Sequence, residues 1–311
     1  MAERESGEAV VKDTACSCRQ CLLNGQKMLE EAGIEEAGSD AWLLFSEAFH
    51  MSRAQYYMDM NRACDPEKRI QYENWLKLRA QRIPLQHITG HAPFMGYEFY
   101  VNEHVLTPRA DTEVLVEKTF EAVKAIDGRN KNGDGLDRPV KILDMCTGSG
   151  CIAVSLACMA GEQGISCEIF AADLSEEALA VAARNNRELC QGQIRLVQSN
   201  LFEALPDTLE FDIIVSNPPY IKSEEIKGLM PEVRDHEPRM ALDGKEDGLY
   251  FYRKLAEEGR HFLKPGGKMF LEIGYDQGVS VPEILGNSGY ACCRVIRDLA
   301  GLDRVVTADR L

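Results

Sequence analysis

Apolar positions at helical spacing dominate the first part of the chain. Over 21–32 they fall at Leu22, Leu23, Met28, Leu29 and Ala32, with Gly33 as a stop signal. Ser39 is placed to cap a second helix carrying Trp42, Leu43, Phe45 and Phe49. Ser52 is placed to cap a third with Tyr56, Tyr57 and Met60. Asp65-Pro66, a cap followed by proline at the first helical position, opens a longer helix through Arg82. Residues 1–20 show no sustained period and are expected to be mobile. The pattern predicts a small helical bundle over 1–83, a docking domain with few groups able to do chemistry.

The period changes after Arg82. Pro84, Gly90, Pro93, Gly96 and Pro108 punctuate short aromatic and β-branched runs, which predicts a β-hairpin linker over 84–111. Thr112 then starts an amphipathic helix with Val114, Leu115, Val116, Phe120 and Val123. The Gly/Asn/Asp content of 127–138 predicts a surface loop. Beyond it, apolar strands at 140–144, 167–173, 194–198, 211–215 and 268–273 alternate with helical stretches at 151–160, 176–189, 248–263 and 279–285. Two closing runs, 290–296 and 304–308, share a short link containing Gly301 and read as an antiparallel pair. The array predicts an α/β domain over 112–311, with a Rossmann-like, mainly parallel sheet and a C-terminal antiparallel hairpin. Ligands in such sheets bind beyond the carboxyl ends of the strands.

Totals refine this picture. A chain of 311 residues is long enough for one or two domains with ample core, and its net charge of −15 argues against gripping nucleic acid phosphates. No apolar run is long enough to span a bilayer and the acidic start lacks a signal-peptide core, so a cytoplasmic protein without membrane contact is expected. The eleven cysteines then read as thiols. Cys16, Cys18 and Cys21 form a C-x-C-x-x-C cluster. No second cluster at zinc-type spacing accompanies it, which favours free thiols on a frayed leader over a metal site. Cys292-Cys293, in a strand-like run, reads as core packing. Nothing demands more than a monomer.

Four strand ends carry the candidate chemistry. Asp144-Met-Cys-Thr-Gly-Ser-Gly150 joins the first strand of the array to its helix. Gly148 and Gly150 permit a tight turn, and the helix N-terminus favours an electronegative group. Asp173 ends the second strand, where a carboxylate can accept both hydroxyls of a ribose. Asn200 follows the third, placed to meet an adenine edge while Leu201 or Phe202 covers the ring. Asn217-Pro218-Pro219-Tyr220 follows the fourth. An amide nitrogen is a poor nucleophile because its lone pair is delocalised into the carbonyl. The Asn217 side-chain oxygen and the Pro218 carbonyl are suited to bind both N–H hydrogens of a planar NH2 and turn that lone pair toward a methyl donor. Pro218 and Pro219 stiffen the turn, and Tyr220 offers a flat wall. Such chemistry is positioning and electrostatics, with no Cys nucleophile or His base required.

These strand ends resemble class I S-adenosylmethionine-dependent methyltransferases over 140–311. The Asn-Pro-Pro-Tyr element is shared by enzymes that methylate adenine or cytosine amines and the glutamine side-chain amide. Upstream, Pro84-Leu-Gln-His-Ile-Thr-Gly90, Phe94-Met-Gly-Tyr-Glu-Phe99 and Val105-Leu-Thr-Pro-Arg-Ala-Asp-Thr-Glu113 are similar to the linker of the peptide chain release factor N5-glutamine methyltransferases, the HemK/PrmC family. Glu237-Pro-Arg-Met-Ala-Leu-Asp-Gly244 is similar to that family too. The resemblance implies methylation, from S-adenosyl-L-methionine, of the glutamine in the Gly-Gly-Gln tripeptide of class 1 release factors. It implies that Cys146, Thr147, Gly148, Ser149 and Gly150 line the methionine end of the cofactor. Asp173 would hold the ribose, Asn200 and Leu201 would sit by the adenine, and Asn217, Pro218, Pro219 and Tyr220 would hold the substrate amide, with Asn217 meeting the cofactor as well. Cys146 stands in place of the usual glycine, Asn200 of the more usual aspartate and Ala110 of a proline. Arg109, Asp111 and Glu113 read as a gate over the site or as a linker salt bridge. An adenine-N6 methyltransferase acting on DNA or RNA would use the same turn, although the acidic balance and the lack of a basic recognition domain weigh against it. A catalytically silent scaffold is the remaining reading, opposed by an intact Asn217.

Overall fold

A computed structural model describes residues 16–132 and 138–311. The chain divides after Thr89 into two compact units.

The first unit is helical: α1 (Cys18–Glu31), α2 (Ala37–Phe49), α3 (Arg53–Asp59), α4 (Pro66–Ala80) and the short α5 (Leu85–Thr89). The Ser17 hydroxyl caps α1 by accepting from Gln20 N at 3.2 Å, and Ser52 closes a full capping box with Gln55. Asp65 caps α4, with Pro66 beside it. Ser39 caps nothing. It lies inside the first turn of α2, whose N-cap is Glu36. The core is aromatic: Phe45 stacks on Phe49 at 4.3 Å and meets the edge of Tyr72 at 5.5 Å. A buried ion pair, Arg79 Nε to Asp40 at 2.7 Å, ties α4 to α2.

The cysteines correct the expectation of a frayed leader. The part of it that falls on 1–15 lies outside the described residues, but Cys18 and Cys21 sit one turn apart on the buried face of α1. Cys64 N donates to the Cys16 carbonyl at 2.8 Å, so a fourth thiol joins the cluster from the other end of the bundle's sequence. Burial pushes the Cys21 thiol up to about 11 and raises Cys64 further, so both stay protonated. Among the described residues no group of three or more His, Cys, Asp or Glu is arranged to hold a metal ion.

The second unit begins with a hairpin, β1 (His91–Phe94) and β2 (Tyr97–Tyr100). Met95 and Gly96, both with positive φ, supply the two-residue turn that matches strand twist. Phe94 and Phe99 bury into the same core as helix α6 (Thr112–Asn132), so the hairpin is part of this unit. Helix α6 continues to Asn132, into the stretch whose composition predicts a loop. Then come β3 (Val140–Met145), α7 (Cys151–Glu162), β4 (Cys167–Asp173), α8 (Glu176–Cys190), β5 (Arg195–Gln198) and β6 (Phe211–Ser216). Two short helices, α9 (Pro231–Arg234) and α10 (Arg239–Leu242), precede α11 (Tyr250–Phe262), β7 (Leu263–Glu272), α12 (Ser280–Asn287), β8 (Tyr290–Arg297) and β9 (Asp303–Arg310).

These strands form one seven-stranded sheet in the order β5-β4-β3-β6-β7-β9-β8. The first five run parallel, and β9 is antiparallel to both neighbours. Side chains alternate across the pleat, so each strand feeds two cores. Ile142, Ile169 and Ile213 face one, with α6 and α7; Leu143, Phe170 and Ile214 face the other, with α11 and α12. The β8–β9 pair is as expected, but Cys292 is exposed at a bulge with φ of 54°, and only Cys293 packs on the core. Strand order reverses between β3 and β6, and the carboxyl ends of β3, β4, β5 and β6 open there onto a cleft.

Candidate active site

One wall of the cleft is a set of backbone turns. After β3, Cys146, Gly148 and Gly150 all take positive φ, at 61°, 55° and 79°. Glycine does this without strain; at Cys146 a β-carbon is held in the left-handed region. A β-carbon on Gly150 would come within 3.1 Å of the Ala182 side chain and stand at positive φ, so both space and backbone favour glycine there. Asp144, fully buried, accepts from the Thr147 hydroxyl at 2.6 Å and from Ala153 N at 3.2 Å, locking the turn onto α7. Burial pushes its carboxyl up to about 7. Asp173 accepts Gly148 N at 2.8 Å through one oxygen and Ser175 N at 3.0 Å through the other. Desolvation raises its pKa, against those backbone hydrogen bonds.

Cys146, Thr147, Gly148, Ser149, Asp173, Asn200, Leu201 and Asn217 all line the cleft. Gly150 does not: it caps α7 from behind. Leu174, beside Asp173, is half-exposed into the same space and was not signalled by any motif. Asn200 is exposed and donates to Glu203 at 2.8 Å.

The opposite wall is built from side chains distant in sequence. Asn217 Nδ2 donates to the Thr112 hydroxyl at 3.2 Å. Tyr220 donates weakly to Glu272 Oε1 at 3.5 Å, and burial raises its phenol well above the ordinary value. Asn217 lines both the cleft and a smaller cavity behind it. Tyr220, Leu106, Arg109, Glu237, Leu242 and Glu272 also border that second cavity. Pro219 lines the cleft, while the Pro218 side chain is buried and lines neither space. The 221–248 excursion folds back on the turn: Gly244 N donates to Ile221 O at 2.8 Å, and a β-carbon on Gly244 would lie 2.8 Å from the Tyr220 backbone. Glu237, buried, accepts from Thr107 N at 3.3 Å and from Arg109 at 2.7 Å, fastening the linker to this excursion. Asp111 pairs with Arg304 at 3.1 Å, and Glu113 accepts from Met95 N at 2.6 Å. Of the three linker charges, only Arg109 borders the cavities.

Sheet order, a glycine turn after the first strand of the array and an Asn-Pro-Pro-Tyr turn after the fourth define a class I methyltransferase. The family descriptions agree: the PrmC N-terminal domain matches residues 20–90, and the methyltransferase small domain matches 134–232. Among solved structures, the hMettl16 catalytic domain in complex with a MAT2A 3′UTR hairpin superposes with a TM-score of 0.50 at 14% identity, covering 91% of this chain and 90% of that one, which shows the fold. The chain belongs to the release factor glutamine methyltransferase family. It is 35% identical over 296 residues to the release factor glutamine methyltransferase of Clostridium acetobutylicum, covering 94% of this chain and 98% of that one. It is 37% identical over 278 residues to that of Geobacter sulfurreducens, with 89% and 91% covered. Among the described residues no helix is long and apolar enough to cross a membrane.

Proposed function

We propose that this protein transfers the methyl group of S-adenosylmethionine to the side-chain amide nitrogen (N5) of the glutamine in the Gly-Gly-Gln motif of class 1 release factors. The observation that carries the reading is the position of Asn217. It borders both spaces, and with its nitrogen given to Thr112 its oxygen is left for a second amide.

The backbone-lined wall fits the cofactor. Cys146, Thr147, Gly148 and Ser149 would hold its methionine end. Each Asp173 oxygen has a lone pair beyond its backbone bond for the ribose hydroxyls. Asn200 and Leu201 would flank the adenine, with Leu174 offering apolar cover. When bound, the cofactor supplies an electrophilic methyl on sulfur. The chain's own groups do the rest. Asn217 Oδ1 and the Pro218 carbonyl accept the two N–H hydrogens of the glutamine amide, which fixes its plane and turns its nitrogen toward the cleft. Tyr220, kept as a neutral phenol by burial, backs that plane. The rate then comes from orientation and from acceptors that need no rearrangement during transfer. Both walls come from one chain, so a monomer suffices, and a release factor substrate sets the work in the cytoplasm.

The test incubates the protein with S-adenosylmethionine and a release factor, and looks by mass spectrometry for one added methyl on the Gly-Gly-Gln peptide. Cofactor binding without transfer to that glutamine overturns the reading. Transfer to adenine of DNA or RNA in its place would replace it.

A further inference from the structure

We infer that Gln277 is a positioning residue, whose side-chain amide fastens the Asn217–Tyr220 turn and so sets where the substrate amide is held. The inference rests on that turn receiving a glutamine amide, as proposed above.

The turn is poorly equipped to tie itself down. Pro218 and Pro219 carry no N–H, so the stretch offers carbonyl oxygens and few donors. Gln277 brings donors from elsewhere. It lies in the link between β7 and α12 and is 5% exposed. Its Nε2 donates to Tyr220 O at 3.2 Å and to Gly248 O, just before α11, at 3.1 Å. Its Oε1 accepts from Gly274 N at 2.9 Å. The Tyr252 hydroxyl shares its hydrogen between that oxygen at 3.1 Å and Glu272 O at 2.9 Å. These partners admit one orientation of the amide. Two carbonyl oxygens can face only its NH2 group, and the Gly274 N–H can face only its oxygen.

Gln277 is fixed on its own side as well. Its backbone N donates to Gly274 O at 2.9 Å, and its carbonyl accepts from Val281 N at 3.1 Å in the first turn of α12. Glycines crowd the Tyr220 backbone from other directions. A β-carbon on Gly248, whose φ is 73°, would stand 2.5 Å from Tyr220 O, and one on Gly244 would stand 2.8 Å from Tyr220 Cα. Gln277 borders neither the cleft nor the second cavity, so it acts on the reaction through the turn. Without its donors, two buried carbonyls lose their partner and the turn is free to shift. None of its four partners belongs to the cofactor wall.

Gln277→Met fills a similar volume without a donor. Its kcat should fall on the order of tenfold to a hundredfold. Its cofactor dissociation constant should stay within about threefold. Gln277→Glu keeps an acceptor for Gly274 and donates only while protonated. It should work within about fivefold of the wild type near pH ~6 and fall toward the Met variant by pH ~9, as the buried carboxyl ionises against two carbonyls. Rates are read as ratios to the wild type at each pH, because Glu272, raised by burial to about 7, titrates in every variant. Tyr220, Tyr252, Lys222, Asp276 and Arg304 are the other titratable or charged groups around the site and are common to all. A Met variant as active as the wild type overturns the inference, as does a Glu ratio that does not change with pH. Hydrogen exchange of the backbone, read by mass spectrometry without substrate, covers a Glu variant that fails to fold. Peptides over 217–222 and 242–249 should exchange about tenfold faster in Gln277→Met, with 144–150 unchanged. Equal exchange in the turn, or faster exchange throughout, overturns the inference. If the wild type leaves the release factor unmethylated, the functional reading fails by itself, and the exchange measurement still decides what Gln277 holds.

Discussion

The two walls of the cleft are made differently. The wall after β3, β4 and β5 is mostly backbone: alternate residues in left-handed conformations, with amides aimed at Asp173 and a helix N-terminus behind. The wall around Asn217 is mostly side chains, joined across long stretches of chain: Thr112 to Asn217, Arg109 to Glu237, Tyr220 to Glu272. The first wall is a local product of its sequence and tolerates change only where a side chain fits the turn. The second exists only when the unit is folded, so damage there should reach the reaction before it reaches cofactor binding.

The hardest blow to that contrast is Asn217→Ala. It should cost about a hundredfold or more in kcat while cofactor affinity, measured by calorimetry, falls by far less. Equal loss of both would mean that the two walls are not separable. Gly244→Ala comes next, because its new β-carbon meets the Tyr220 backbone, which cannot swing aside as a side chain would. About 2 kcal/mol of stability should be lost in chemical denaturation, with turnover falling more than cofactor binding.

On the backbone wall the expected effects are smaller. The Asp144 carboxyl is raised from 3.8 to about 7. Between those values the folded chain holds a proton that the unfolded chain has released, so this group's contribution to stability declines as pH rises through the window. Asp144→Asn can still accept from Thr147 and Ala153 but cannot ionise. Its stability should gain on the wild type by about 1 kcal/mol per pH unit between pH 4 and pH 7 in denaturation curves recorded side by side. A stability difference that does not change with pH would overturn the raised carboxyl assigned to Asp144. The smallest effect is that of Cys146→Gly, which relieves a left-handed β-carbon at the cost of a looser unfolded chain. A net gain of about 0.5 kcal/mol in thermal unfolding is expected, with slightly tighter cofactor binding.

The same contrast explains what was legible. Cys146 to Ser149, Asp173, Asn200 and Leu201 sit at strand ends where turn chemistry and strand patterning coincide, and all of them line the cleft. Gly150 was equally visible as a turn residue, but its job is to let α7 start against Ala182 rather than to meet a ligand. Thr112 was visible only as a helix start, and Glu237 only as part of a motif, because their partners lie over a hundred residues away. Glu272 did leave a signal: a lone carboxylate closing an apolar strand is expensive and calls for a reason. The helical unit repeats the lesson. Cys18 and Cys21, three residues apart with Leu29 on the same face, carry the period of a buried helix, and the C-x-C-x-x-C spacing overlaps that period.

The antiparallel insertion of β9 between β7 and β8 bears on how this enzyme comes to life. Glu272 pairs in register with Val305, Ile273 N donates to Arg304 O at 2.8 Å, and Arg304 carries its charge to the Glu272 carboxyl. The five parallel strands all precede Arg304 in the chain, so during synthesis the Glu272 carboxyl is without this charge until β9 has been made and docked. During synthesis a contact cannot form before its later partner has been made. A nascent chain that has already shaped its cofactor turn is therefore still without a finished catalytic wall, and competence arrives with the penultimate slot of the sheet.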